Sequence, residues 1–107
     1  MAYERLIEKI TKENLWIYII RMLLEKPMYA YEISKTLHER FGFSTAMITV
    51  YVVLYKMQRE GFIRIKEEKT VSNRPDRKYY EVTEKGNKAF IKGRIFLEET
   101  IKKLSIN

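Results

Sequence analysis

The chain has no cysteine, which excludes a disulfide framework, a thiolate zinc site and a cysteine nucleophile. It has one histidine, His38, which excludes paired-histidine metal sites and argues against a histidine-based triad. Four glycines and two prolines in 107 residues are too few for a collagenous or low-complexity chain. Aspartate is almost missing: Asp76 stands alone against 13 glutamates. No long apolar run exists either. The longest, Leu15–Leu24, is ten residues broken by Arg21, whereas a membrane span needs about 20. No basic-then-apolar leader opens the chain, so the expectation is a soluble, cytoplasmic protein with no membrane partner.

What is present is enough for one core. Hydrophobic residues make up 46%, and a chain this short suits a single domain without an elaborate catalytic cleft. The net charge is +7 and the pI about 9.6, a balance that points to an acidic polymer as partner. The excess is spread along the chain: nine Lys and Arg against seven Glu in residues 1–60, six against four acids in 61–83, and six against three in 84–107. The 13 Lys and 13 Ile, with no Cys, lean toward a thermophile's composition, with an archaeal source as a further expectation.

Periodicity organises the sequence. Residues 3–12 read as a short amphipathic helix with Leu6, Ile7 and Ile10 on one stripe. A helix this short is marginal alone and needs a surface to lie on. Asn14–Lys26 reads as a second helix, apolar nearly all round and therefore buried on several sides, ended by Pro27. Tyr31–Arg40 reads as a third, with Ala30, Ile33, Leu37 and Phe41 inward and Gly42 as its left-handed stop. Ser44 or Thr45 is expected to cap a fourth helix that runs to about Glu60 and closes at Gly61. The period then changes to two over Phe62–Lys66 and Lys78–Thr83, a hairpin across the polar stretch Lys69–Arg77. Thr83 is expected to cap a last helix from Glu84 to about Lys103.

Three helices followed by a hairpin is the winged helix-turn-helix arrangement, in which the third helix reads the major groove. The fold class is thus mainly α with a small β-hairpin, a winged helix-turn-helix with an added C-terminal dimerisation helix. One domain over 1–107 divides into an N-terminal helical arm 1–13, the winged helix 14–83 and the C-terminal helix 84–107.

On a helical wheel of residues 44–59, Ala46, Met47, Val50, Val53, Leu54 and Met57 form the core stripe. Ser44, Thr45, Ile48, Val52, Tyr55, Lys56 and Arg59 face outward, with Thr49 and Tyr51 at the edges. This outward face carries hydroxyls and cations and no acid until Glu60. Hydroxyls and a helix N-terminus bind phosphate, and long donors reach base edges. Ile48 and Val52 either touch thymine methyls or pack on a neighbouring element or partner. In the hairpin loop, Lys69, Arg74, Arg77 and Lys78 make a basic wing for phosphate or the minor groove.

Four segments carry a family resemblance. Pro27-Met28-Tyr29-Ala30-Tyr31-Glu32-Ile33 resembles the P-M-Y-G-Y-E-I signature of PadR-type transcriptional regulators, and Ile48–Leu54 resembles their G-T-L-Y-P-A-L reading segment. Gln58–Ile63 follows like x-E-x-G-L-I, and Arg74–Gly86, with Asn73 before it in the place of the wing glycine, like the wing and strand G-R-P-R-K-Y-Y-x-L-T-x-x-G. Ala30, Ile48, Val52 and Asn73 depart from the pattern, and Asp76 is an extra residue within it. The resemblance implies DNA contacts at Thr49, Tyr51 and Arg74, and dimerisation through the C-terminal helix. Independently, Phe90, Leu97, Ile101 and Leu104 recur at helical steps beside Ile91 and Ile95, a stripe that a two-fold dimer would bury together with Leu6, Ile7 and Ile10.

Some features read as structural. His38 is expected to be solvated or locally bonded. Glu67-Glu68 and Glu98-Glu99 are adjacent rather than opposed and form no acid–base pair. Trp16 with Tyr18 and Met22 is expected to be core rather than a ligand pocket. No nucleophile–base pair, metal constellation or phosphate loop marks an enzyme, and no cofactor is implied. The expected function is that of a homodimeric, sequence-specific double-stranded DNA-binding regulator, a repressor. The alternative is a winged-helix protein–protein interaction module without sequence-specific DNA binding. The sequence leaves room for a small-molecule effector but names none.

Overall fold

The computed structural model describes residues 1–42, 44–66 and 78–106. In chain order it contains α1 (Ala2–Ile10), a 3-10 turn (Lys12–Asn14), α2 (Leu15–Leu23), α3 (Ala30–Phe41), α4 (Met47–Arg59), β1 (Ile63–Ile65), β2 (Tyr80–Val82) and α5 (Glu84–Lys103). This is the winged helix-turn-helix expected from the sequence: α2, α3 and α4 followed by an antiparallel hairpin.

The core grows around α2. Leu15, Ile19, Ile20, Met22 and Leu23 are all buried, and α2 packs against α3, α4, α5 and β2. Its apolar circumference is the reason: every face must meet another element. The helix is shorter than its pattern. At its start, Asn14 accepts a hydrogen bond from Trp16 Nε1 at 3.2 Å and donates to the Lys9 carbonyl. At its end, the last turn tightens, with Glu25 N–H bonded to the Met22 carbonyl at 3.0 Å, and Pro27 keeps Lys26 from continuing it.

α3 begins where the Tyr29 N–H donates to Glu32 Oε1 at 3.3 Å, half of a capping box. It buries Ala30, Ile33 and Leu37 and stops at Gly42, whose φ of 76° is left-handed. Glu25 receives both Arg21 and Arg40, tying the end of α2 to α3. The Arg40 guanidinium holds this carboxyl below the usual carboxylate range.

α4 corrects two expectations. Neither Ser44 nor Thr45 caps it; Ala46 is the N-cap and no side chain bonds the first turn. Ser44 instead pairs with His38 (Oγ to Nδ1, 2.8 Å), so its oxygen is engaged across the turn. Ala46, expected in the core stripe, is exposed because it precedes the first helical turn. Val50, Leu54 and Met57 are buried as expected, with Met47 and Val53 half-buried.

In the hairpin Ile63 faces Val82 and Ile65 faces Tyr80. Met28 pairs with the far side of Tyr80 through hydrogen bonds of 3.2 and 2.8 Å. A single residue between α2 and α3 thereby acts as a third strand and docks the helix pair onto the wing.

Thr83 and Gly86 lock the last helix. Thr83 Oγ1 accepts from the Gly86 N–H at 3.1 Å, as the expected cap, and donates to the Gly61 carbonyl at 2.6 Å. The Thr83 N–H also donates to the Phe62 carbonyl at 3.0 Å. A Cβ on Gly86 would lie 2.2 Å from that same oxygen, so the approach requires glycine. At Gly93, by contrast, a Cβ would meet only the end of Ile17 at 3.0 Å and the Trp16 ring at 3.3 Å. Gly86→Ala is therefore expected to cost about 1–3 kcal/mol in urea unfolding through overpacking against backbone. Gly93→Ala, in which a gain of about 0.8–1 kcal/mol in helix propensity opposes a tight but yielding contact, is expected to be close to neutral.

Candidate nucleic-acid interface

From Ile48 to Arg59 the outward face of α4 emerges as the wheel placed it, whereas Ser44 and Thr45 precede the helix. Val50, Leu54 and Met57 are each 1% exposed or less, which turns the opposite side to solvent. Ile48 is 73% exposed, Val52 46% and Tyr51 44%, and Ser44, Lys56 and Arg59 are also exposed. Thr45 and Thr49 are half-buried at the margin. No Asp or Glu occurs between Ser44 and Arg59. Leaving Ile48 and Val52 in water costs stability at about 25 cal/mol per Å² of apolar surface. A surface of β-branched side chains, hydroxyls and cations with no acid is suited to thymine methyls, phosphate oxygens and base edges.

Tyr55, which the wheel also turns outward, adds to this face a contact that the wheel alone does not show. It is exposed, Arg59 Nη1 donates to its hydroxyl at 3.3 Å, and the guanidinium lies 5.8 Å from its ring centroid. Arg59 is thus one half of a stacked pair, held away from free rotation. The signal was available in the four-residue spacing, which puts both side chains on one helical row. At the edge of the face, Tyr51 comes near Tyr80 of β2. Burial pushes the Tyr80 phenol above its ordinary range, and the Tyr51 phenol adds to the effect.

Of the basic wing, Lys78 is described and exposed, while Lys69, Arg74 and Arg77 lie outside the described residues. Across the strands, Arg64 Nε pairs with Glu81 at 2.8 Å, so this cation is already matched.

A second set of exposed apolar residues lies on α1 and α5, and Ile10 of α1 joins α5 residues in the groove described below. None of the residues of α1 is buried, and Leu6, Ile7 and Ile10 are exposed. On α5, Ile91, Ile95, Leu97 and Ile101 are exposed, as is Leu104 at its C-cap. Phe90 corrects the stripe: it is 7% exposed and belongs to the subunit's own core, because at this point α5 still lies on α2. Phe96, absent from the sequence reading, is 66% exposed and widens the apolar face. Between α2 and α5 an apolar groove of about 560 Å³ is lined by Trp16, Ile17, Phe41, Phe90, Phe96 and Leu97, with Lys9, Arg21 and Arg94 among its other residues. Trp16 and Tyr18 are therefore half-buried groove residues, whereas Met22 is core. Burial raises the Tyr18 phenol above its usual range.

Among the described residues no group of His, Cys, Asp and Glu could hold a metal ion, and no helix is long and apolar enough to cross a membrane.

The sequence profile of the family described as "Transcriptional regulator PadR-like family" matches residues 19–92, more than half of the chain. Among solved structures, a PadR family transcription regulator from Clostridium difficile R20291 is 30% identical, with a TM-score of 0.67 over 82% of this chain and 94% of that one. A PadR-like transcription factor from Bacteroides fragilis is 23% identical, with a TM-score of 0.71 over 94% and 99%. Bacillus subtilis PadR, solved in complex with operator DNA, is 24% identical, with a TM-score of 0.65 over 76% of this chain but only 46% of its own. No curated protein matches this chain.

The α4 surface yields a paired test on duplexes. Val52→Ser is expected to relax preference at one or two A·T positions and leave the salt dependence of binding unchanged, since no phosphate contact is lost. Arg59→Ala is expected to erase selection at a G·C pair, at about 1–3 kcal/mol for a good contact, or to flatten the salt slope if its reach is only to phosphate. A titration series on cognate and altered sequences separates the outcomes.

Proposed function

The chain belongs to the PadR-like family of transcriptional regulators, and from that premise we propose that it is a homodimeric, sequence-specific double-stranded DNA-binding repressor. The observation that carries the reading is the acid-free, solvent-facing side of α4, with exposed Ile48, Val52, Lys56 and Arg59. Two such helices, related by a two-fold axis, enter successive major grooves about one turn apart. The residues we assign to reading are Ser44, Thr45, Ile48, Thr49, Tyr51, Val52, Lys56 and Arg59, with Tyr55 bracing Arg59. The residues we assign to the wing are Lys69, Arg74, Arg77 and Lys78, which grip the flanking backbone and supply affinity more than choice. Repression follows from occupancy: a dimer seated across a promoter excludes other proteins from it.

The dimer is supported by apolar surface that one subunit leaves uncovered. No residue of α1 in the arm 1–13 is buried, and the distal half of α5 exposes Ile95, Phe96, Leu97 and Ile101, with Leu104 at its C-cap. A second copy of this surface covers both helices and closes the groove between α2 and α5. The winged helix 14–83 then carries the DNA contacts and the helix 84–107 sets the distance between the two copies.

Two experiments test this. In sedimentation at micromolar concentration the protein is expected to run as a dimer, and Leu97→Glu with Ile101→Glu to give monomers or unfolded chain; a monomeric wild type would contradict the assembly. In binding titrations, Arg74→Ala or Arg77→Ala is expected to weaken specific and unrelated duplexes alike. Each lost contact should reduce the slope of log affinity against log salt by about 0.9. An unchanged affinity and slope for both variants would remove the wing from the interface.

A further inference from the structure

A small polar cavity of about 260 Å³ lies between α3 and the segment leading into α4, lined by Tyr31, Ser34, Lys35, His38, Ser44 and Thr45. We propose that it is a phosphate clamp that holds one backbone phosphodiester of the bound duplex; this rests on the DNA-binding reading above and adds Tyr31, Ser34, Lys35 and His38 to it.

The lining offers four hydroxyls, one ammonium and one imidazole, and no carboxylate. Each of these groups can donate a hydrogen bond, and a phosphodiester carries only acceptors. The His38–Ser44 bond of 2.8 Å keeps a donor available in either arrangement. If Ser44 donates to Nδ1, the neutral ring carries its proton on Nε2. If Nδ1–H donates to Ser44, the hydroxyl keeps its own proton free. The bond also ties the turn to α3, so His38 and Ser44 are held together before a ligand arrives. Lys35 has no ion-pair partner among the described residues, whereas the other long cation of α3, Arg40, is tied to Glu25. Tyr31 is 62% exposed, so its hydroxyl is open to a ligand at the mouth of the cavity.

The position fits a strand of DNA better than a free anion. In a helix-turn-helix the helix before the reader crosses the backbone at the edge of the groove that the reader enters. Here the cavity sits on that preceding helix, and two of its lining residues, Ser44 and Thr45, lead directly into α4. The cavity is also below the size of pockets that enclose drug-sized ligands, about 300–1,000 Å³.

The test uses the full-length protein, one cognate and one unrelated duplex, and a salt series. Lys35→Ala is expected to weaken both duplexes by the same factor, about two- to fivefold as for an exposed charge pair, and to reduce the salt slope by about 0.9. Tyr31→Phe is expected to weaken both with the slope unchanged, since a hydroxyl is lost and no charge. A cognate duplex is then made with single methylphosphonate linkages, each neutralising one phosphate near the half-site. At one linkage the wild type should lose affinity and Lys35→Ala should lose nothing further. A Lys35→Ala protein that binds like wild type, or whose defect persists at every linkage, overturns the clamp while leaving DNA binding intact. Inorganic phosphate that competes with duplex only through wild-type Lys35, with no linkage singled out, identifies a free-anion site and also overturns it. A wild type that binds no duplex removes the DNA reading itself.

Discussion

The joint at Thr83 is the constraint on which the working parts depend. Its hydroxyl accepts from Gly86 at the start of α5 and donates to Gly61 at the end of α4, and its N–H bonds Phe62 at the start of β1. Gly86 lies so close to Phe62 that no side chain fits. The end of the candidate reading helix, the root of the wing and the first turn of the long helix therefore meet within a few residues. Bonds at such a joint are individually modest, about 0.5–1.5 kcal/mol each. Their consequence is geometric: they fix the angle at which α5 leaves the winged helix. If α5 joins two subunits, that angle sets how far apart and at what pitch two α4 helices are presented.

The other organising fact is a surplus of apolar surface. A helix as short as α1 does not hold itself, and α5 runs beyond the core that Phe90 completes. The molecule spans 57 × 29 × 22 Å, an elongated shape in which the apolar residues of both helices lie outside the core. The same chain exposes apolar residues a second time on α4. These two surfaces differ in chemistry. The α1–α5 face is aliphatic and aromatic around a groove, whereas Ile48 and Val52 stand among hydroxyls and cations. The first is the kind of surface that a like subunit covers; the second suits the mixed edge of a major groove.

Much of this was legible in the sequence because the signals were local. Helical spacing marked α2 to α5, the change to a period of two marked the hairpin, Gly42 and Gly61 marked the stops, and Thr83 marked the cap. What was not legible depended on neighbours distant in the chain. Ser44 looked like a cap until the structure brought His38 within bonding distance across the turn. Phe90 shared its spacing with Leu97 and Ile101, and spacing cannot distinguish a residue that meets α2 from one that meets a partner. Phe96 fell off the chosen stripe. The reason for glycine at 86 lies in a carbonyl 24 residues earlier. The polar cavity joins α3 to the turn after it, and no single helical face displays it.

In the proposed function, two copies of α4 are held one helical turn apart to read DNA. The most direct measurement is selection of bound fragments from genomic DNA with the purified protein, followed by footprinting of the selected sites. The claim requires an inverted repeat whose half-sites lie about one turn, 10–10.5 base pairs, apart centre to centre, with protection on both. Selection of no common sequence, or of single half-sites without a two-fold mate, would contradict it.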